Sequence, residues 1–295
     1  ANGISMDSNQ HLTLEDITIY SAPGHALISS GDQHHWQLLH CSLKRRPGKT
    51  RCISATADGH HISNSQGFYR MEHCDFSYNG DDCLNIHDNS CTGIKKVGER
   101  TAVVGNVRRW RNPFEPGDPV EFRNGDLSPM NLRLSVDSVK WNEEQGECEI
   151  AFDELLPDDL AADTILFNRR YDSGNYIVRN NFFHHNRARG MLIHASNGLV
   201  EGNHFYMNQG SAIQIQCGVE QRWAEGFGVQ NLVVRNNLIE SCDVNHWNMA
   251  VVYMDVYLPG GHTRYPIFRD IVFESNTIVD CPQAAFFLSS CANVT

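Results

Sequence analysis

The residues best suited to chemistry in this chain are carboxylates set close together. Asp58 lies in Ser54-Ala55-Thr56-Ala57-Asp58-Gly59-His60-His61, and Asp81 and Asp82 follow in Asn79-Gly80-Asp81-Asp82-Cys83-Leu84-Asn85-Ile86-His87. Two neighbouring carboxylates repel when both are ionised, which raises the pKa of one of them. A pair tuned in this way keeps one carboxyl protonated as an acid while its neighbour serves as a base. On an extended strand adjacent side chains point to opposite faces, so both aspartates project outward only where a strand begins at a bend. The competing reading of Asn79-Gly80-Asp81-Asp82 is a plain turn, since Asn, Gly and Asp are the usual turn formers. The surrounding pattern favours the site.

That pattern is a repeat. Leu38-Leu39-His40-Cys41-Ser42-Leu43 resembles Met71-Glu72-His73-Cys74-Asp75-Phe76, and both resemble Val178-Arg179-Asn180-Asn181-Phe182-Phe183. The motif returns from Val200, from Val234 and from Phe273. A short strand recurring in this way, with loops inserted between copies, predicts a parallel β-helix, right-handed and of roughly eight coils. Asn at the bends can adopt strained geometry or stack as a ladder. No segment between the strands has helical periodicity, which excludes a doubly wound α/β fold.

The coils align without gaps beyond the bend, Asn79–His87 lying over Asn186–His194 and then over Asn208–Gln216. Coils stack about 4.8 Å apart, so equivalent positions become lines of neighbours. Leu84, Met191 and Ile213 read as core, as do Ile86, Ile193 and Ile215. The outward columns are Asp82/Arg189/Ser211, Asn85/Leu192/Gln214 and His87/His194/Gln216. They are mostly polar, as a groove for a sugar would be.

The expected fold is therefore all-β: a right-handed parallel β-helix over residues 1–91 and 171–295, with a small antiparallel β-barrel inserted at 92–170. Alternating segments around Val103, Val120, Leu134 and Ile150, separated by turn residues, carry the barrel reading. Asp158-Asp159 reads as a solvated loop. Long loops at 218–228, with Glu220, Trp223 and Glu225, and at 245–265, with Trp247, Asp255 and Tyr257, are placed to wall a cleft. Exposed Trp in such loops suits stacking on sugar rings.

Of the 295 residues 41% are hydrophobic and 20% charged, with a formal net charge of −11, so nucleic acid and anionic membrane surfaces are disfavoured as partners. No apolar run is long enough to cross a membrane as a helix. The start shows no signal peptide, and both ends read as cut from a longer protein. The ten cysteines include no CxxC pair, and several fall at repeat positions, which suggests buried stacking. His60, His61, His87 and His194 are expected to hydrogen-bond sugar rather than ligate metal, because two adjacent histidines splay apart on a strand. Arg187 and Arg189 stand next to the Asp81-Asp82 coil. By pairing with those carboxylates they would lower their pKa values and oppose an acid role.

Asp58 followed by Gly80-Asp81-Asp82-Cys83 resembles the three-aspartate site of inverting polygalacturonases. The Gly-His-Gly and Arg-Ile-Lys segments of that family are missing, which argues against a pectin substrate. A closer resemblance is to glycoside hydrolase family 110, the α-1,3-galactosidases acting on blood-group-B-type galactosides. It is carried by the segments around Asp58 and Asp81-Asp82, by Asn64-Ser65-Gln66-Gly67 and by Gly117-Asp118-Pro119-Val120-Glu121-Phe122. The resemblance implies a secreted or periplasmic bacterial enzyme that removes terminal α-1,3-linked galactose with inversion and without a metal or other cofactor. It implies Asp58, Asp81 and Asp82 as the catalytic residues. Together with the outward columns and the long loops, this places His60, His87, Arg189, His194, Gln214, Gln216, Glu121, Trp223 and Trp247 around the substrate, with Glu121 the reserve carboxylate and Glu115 a weaker one. The partner expected is a terminal α-galactoside of an oligosaccharide or glycoconjugate, and a homodimer is allowed. The alternatives are a polygalacturonase-like pectin glycosidase, a polysaccharide lyase, and a non-catalytic glycan-binding β-helix of the tail-spike or adhesin type.

Overall fold

The computed structural model describes residues 1–295 apart from 106, 112, 220–222 and 247. Strands of two to eight residues turn back on themselves to form three parallel sheets, and no helix occurs among the described residues. One sheet runs Ile4–Asp7, Leu27–Ser30, His60–Ser63, Leu84–His87, Met191–Ile193, Ile213–Val219, Ala250–Tyr257 and Ala284–Leu288, one strand from each successive coil. This is a parallel β-helix, and Leu84 pairs with Met191 and Met191 with Ile213, the register expected from the repeat.

Burial of the inward columns holds the coils together. Leu84, Met191, Ile213, Ile86, Ile193 and Ile215 are all fully buried in one continuous cluster. Each such side chain contributes roughly 1.5–3 kcal/mol by leaving water. At one corner the polar repeat position is inside too. Asn181 donates from Nδ2 to Oδ1 of Asn203 at 2.9 Å, Asn203 to Asn237 at 3.1 Å, and Asn237 to Asn276 at 2.9 Å. The residue before each rung turns the chain with positive φ: Asn180 (55°), Gly202 (64°), Asn236 (54°) and Ser275 (53°). All ten cysteines are free, and most are buried, as the stacking reading required.

Between Leu84–His87 and Met191–Ile193 the chain leaves the helix. There it forms a seven-stranded antiparallel sheet in the order Ser90–Cys91, Ile165–Asn168, Pro119–Arg123, Pro129–Asn142, Glu147–Phe152, Thr101–Val104, Ile94–Lys96. The long strand Pro129–Asn142 shifts register between Val136 and Ser138 and passes from one half of the sheet to the other. The two halves enclose a separate core that includes Val120, Phe122, Ile150 and Phe152. The excursion leaves the coils in register: the Asn79 N–H still meets Oδ1 of Asn186, 107 residues on, at 3.1 Å. Asp81 and Asp82 therefore keep a stacked neighbour on both sides.

Candidate active site

Strand register builds the site. Leu84 pairs with His60 on one side and Met191 on the other, so the residues two places earlier, Asp58, Asp82 and Arg189, form one column at the strand entrances. Asp81 stands beside them. Asp58, Asp81 and Asp82 each bring an oxygen within 4.8 Å of the other two. Gly59 and Gly80 permit this convergence. A Cβ on Gly59 would lie 2.5 Å from the Cys83 carbonyl oxygen, and one on Gly80 2.4 Å from that of Thr56.

The three carboxylates have different surroundings. Asp58 is buried, yet its carboxyl is held well below the usual range, because the two histidines beside it, His25 and His61, outweigh desolvation. His61 Nδ1 lies 2.6 Å from Asp58 Oδ2, and His25 Nδ1 3.5 Å from the same oxygen. Asp82 is also buried, and desolvation pushes it up to about 8 against the pull of Arg189. Arg189 donates its backbone N–H to Asp82 Oδ1 at 2.9 Å and Nη2 to Oδ2 at 3.0 Å, and its Nε lies 2.9 Å from Oδ1 as an ion-pair contact. Asp81 is 40% exposed and pairs with Arg187 at 3.3 Å; desolvation and the charge of Asp58 raise its pKa. The two arginines thus form the pairs that would oppose acidity, but the upward shift prevails. Adjacent carboxyls titrate as a unit. The proton they keep is assigned to Asp81, since an ionised Asp82 accepts both the Arg189 backbone N–H and Nη2 and faces its guanidinium charge.

A second polar layer extends from this cluster along the sheet. His61 Nε2 is 3.1 Å from His87 Nε2, and His87 Nε2 is 4.0 Å from Glu225 Oε1. His194 Nε2 approaches Glu225 Oε2 to 3.6 Å, and Arg111 Nη2 binds Glu225 Oε1 at 2.9 Å. Burial lowers the pKa of both His87 and His194, the latter to about 3, so both rings are neutral. Gln214 donates to Gln216 at 2.6 Å and accepts from Asn248 at 2.9 Å. Trp223 is exposed, its ring 5.4 Å from the Arg111 guanidinium.

Several expectations need correction. His60 does not face a substrate. It is fully buried in the core column of Leu27 and Leu84, with Nε2 2.8 Å from Ser29 Oγ and Nδ1 3.0 Å from the Tyr69 hydroxyl. The outward histidine is His61, because the bend at Asp58-Gly59 changes the phase of the alternation. Glu121 contacts none of the three aspartates; it lies on the inserted sheet, held by Arg123 at 2.7 Å and Arg169 at 3.4 Å. Trp247 lies outside the described residues, as does Glu220. His25 and Arg111 were not singled out for the site, while His61 was expected to bond sugar and Glu225 to sit in a loop walling a cleft. Spacing could have tied His61 to Asp58, three residues away, but nothing local points to Arg111, which arrives from the inserted segment.

Two trios carry ligand-type atoms within 4.8 Å of one another: His25, Asp58 and His61, and the three aspartates. Atoms sharing a small cation at about 2.0–2.2 Å each stand about 3 Å or more apart. The 2.6 Å contact between Asp58 and His61 is instead a charge-assisted hydrogen bond. Asp82 is engaged by Arg189. The cluster is arranged for proton chemistry. A void of about 200 Å³, lined by residues that include Asp88, Arg169, His194, Phe227 and Gln230, reaches none of the three aspartates.

Residues 161–295 match the family model described as a right handed beta helix region. The chain is 31% identical over 251 residues to an alpha-1,3-galactosidase B of Akkermansia muciniphila, covering 83% of this chain and 31% of that protein. It is 23% identical over 243 residues to an alpha-1,3-galactosidase A of Shewanella woodyi, covering 81% of this chain and 39% of the relative. An alpha-1,3-galactosidase A of Bacteroides fragilis matches at 22% over 298 residues, covering 99% of this chain and 49% of its own length. The chain therefore spans between 31% and 49% of the length of these three curated relatives.

Proposed function

Because this chain belongs to the family of the α-1,3-galactosidases it matches, the one its motifs resemble, we propose that it hydrolyses a terminal α-1,3-linked galactosyl residue of a glycan. The observation that carries the reading is the convergence of Asp58, Asp81 and Asp82 in three different environments on the outer face of the coils. A binding module has no use for three carboxylates held together against their repulsion.

In the proposed reaction Asp81, the most exposed of the three, gives its proton to the leaving oxygen. Asp58, kept ionised by His61, takes the proton of the attacking water, with Asp82 beside it. The outer columns offer neutral amides for the hydroxyls at Gln214 and Gln216, whereas His87 and His194, expected beside the sugar, are buried. Arg189 is already neutralised by Asp82 and so is not available to hold a uronate carboxylate, which supports a neutral sugar. A secreted or periplasmic location belongs to the same proposal and rests on the family resemblance.

Inversion also rests on that resemblance. A separate acid and base working through a water normally stand about 6.5–9.5 Å apart, whereas retaining pairs stand about 5–5.5 Å apart. Oxygens within 4.8 Å favour retention as a second reading, with a carboxylate attacking the sugar directly. Proton NMR of the first-formed product separates the two: β-galactose means inversion and α-galactose means retention. Release of no galactose from any α-galactoside would overturn both.

A further inference from the structure

Asp58 is the carboxylate whose orientation matters most to a water-activating role, and its environment contains two histidines. They are not equivalent. The backbone N–H of Asp58 donates to His25 Nδ1 at 3.2 Å, and an imidazole nitrogen that accepts this bond has no proton to give the carboxylate. An ionised Asp58 only accepts, so the ring N–H that meets Oδ2 at 2.6 Å comes from His61. The far side of His61 is also engaged, its Nε2 lying 3.1 Å from Nε2 of His87 on the next coil. His87 is buried beside Glu225, which Arg111 ties to the inserted sheet. The His25 ring stacks on His61 at 4.4 Å and limits its swing.

We propose that His61 is a positioning residue: Nδ1 fixes the Asp58 carboxylate, and Nε2 is braced by His87, so that the oxygen facing the water keeps one orientation. This rests on the reading of Asp58 as the base. It assigns the second layer of histidines to the geometry of the base rather than to contact with sugar.

Two substitutions separate the ends of the ring. His61→Asn keeps an N–H near the place of Nδ1 and loses the brace; His61→Gln reaches toward His87 and loses the bond to Asp58. On an α-galactoside the expected result is a kcat loss of about tenfold for His61→Asn and about a hundredfold or more for His61→Gln, with KM little changed. The charged and titratable groups around His61 are Asp58, Asp82, Glu225, His25 and His87. Loss of the donor raises the pKa of Asp58, so the acid limb of kcat/KM moves to higher pH in His61→Gln and stays in place in His61→Asn. Equal damage from both substitutions, or a His61→Gln variant with wild-type kcat and acid limb, overturns the proposal. Proton NMR of the wild-type chain gives a readout independent of turnover. A far-downfield Nδ1–H resonance lost in His61→Gln supports the assignment, and its absence from the wild type overturns it. If the wild type cleaves no α-galactoside, the functional reading fails while this resonance still decides whether His61 holds Asp58.

Discussion

Arg189 reaches Asp82 across 107 residues of sequence, closing on its carboxylate with a backbone N–H at 2.9 Å and Nη2 at 3.0 Å. The pair is buried on the carboxylate side and 20% exposed on the arginine side. It sets the charge of the candidate site, because it leaves Asp81 as the carboxyl that keeps a proton.

Removing that arginine should harm both folding and turnover. Breaking one partner of a buried ion pair typically costs about 3–5 kcal/mol, since the other charge is left desolvated. Arg189→Leu should therefore unfold at clearly lower denaturant concentration than the wild type, and its kcat should fall. An unchanged unfolding midpoint would show that Asp82 is neutral without Arg189.

The acid role of Asp81 can be read from leaving groups. Asp81→Asn should lower kcat by about 10²–10⁴ on a galactoside with a poor, sugar-like leaving group. It should lose far less on a nitrophenyl galactoside, whose leaving group needs no proton. Equal losses on both substrates would move the acid elsewhere.

The pH profile should be asymmetric. Desolvation raises the pKa of both Asp81 and Asp82, so the pair keeps one proton above the usual carboxylate range, and activity falls as pH rises through the pair's titration. Asp58 is held well below the usual carboxylate range, so the acid limb lies at low pH. Stability follows the same signs. The contribution of Asp58 is present above the unfolded value of about 3.9 and is lost as pH falls through its folded value. That of the Asp81–Asp82 pair, whose pKa is raised, is complete below about 3.9 and is lost as pH rises through the pair's folded titration. Initial-rate profiles and unfolding midpoints across pH test both, and an alkaline limb unmoved in Asp82→Asn would count against the pair.

His60 should behave as a core residue. His60→Leu strips the Ser29 and Tyr69 hydroxyls of a buried partner, which should cost about 1–3 kcal/mol. KM for an α-galactoside should stay within error of the wild type. A raised KM with unchanged stability would return His60 to the binding surface.

The coils, their register and the grouping of Asp58 with Asp81-Asp82 were legible in the residues alone. Apolar positions at a period of two and bend residues at a recurring spacing are local properties, and stacking identical units leaves few other arrangements. The three-coil register was predicted because Leu84, Met191 and Ile213 repeat without a gap, and they do pair. The family resemblance rested on similarly local motifs. Other features depended on the folded chain. Alternation assigns faces only within an unbroken strand, and the bend at Asp58-Gly59 breaks it, so tertiary structure alone could turn His60 inward and His61 outward. Convergence of the three carboxylates within 4.8 Å depends on backbone approach at Gly59 and Gly80, which spacing does not encode. The bridge from Arg111 to Glu225 joins the inserted sheet to a hairpin 114 residues away. Such a contact follows from how two separately built units dock, and no local pattern in either one contains it.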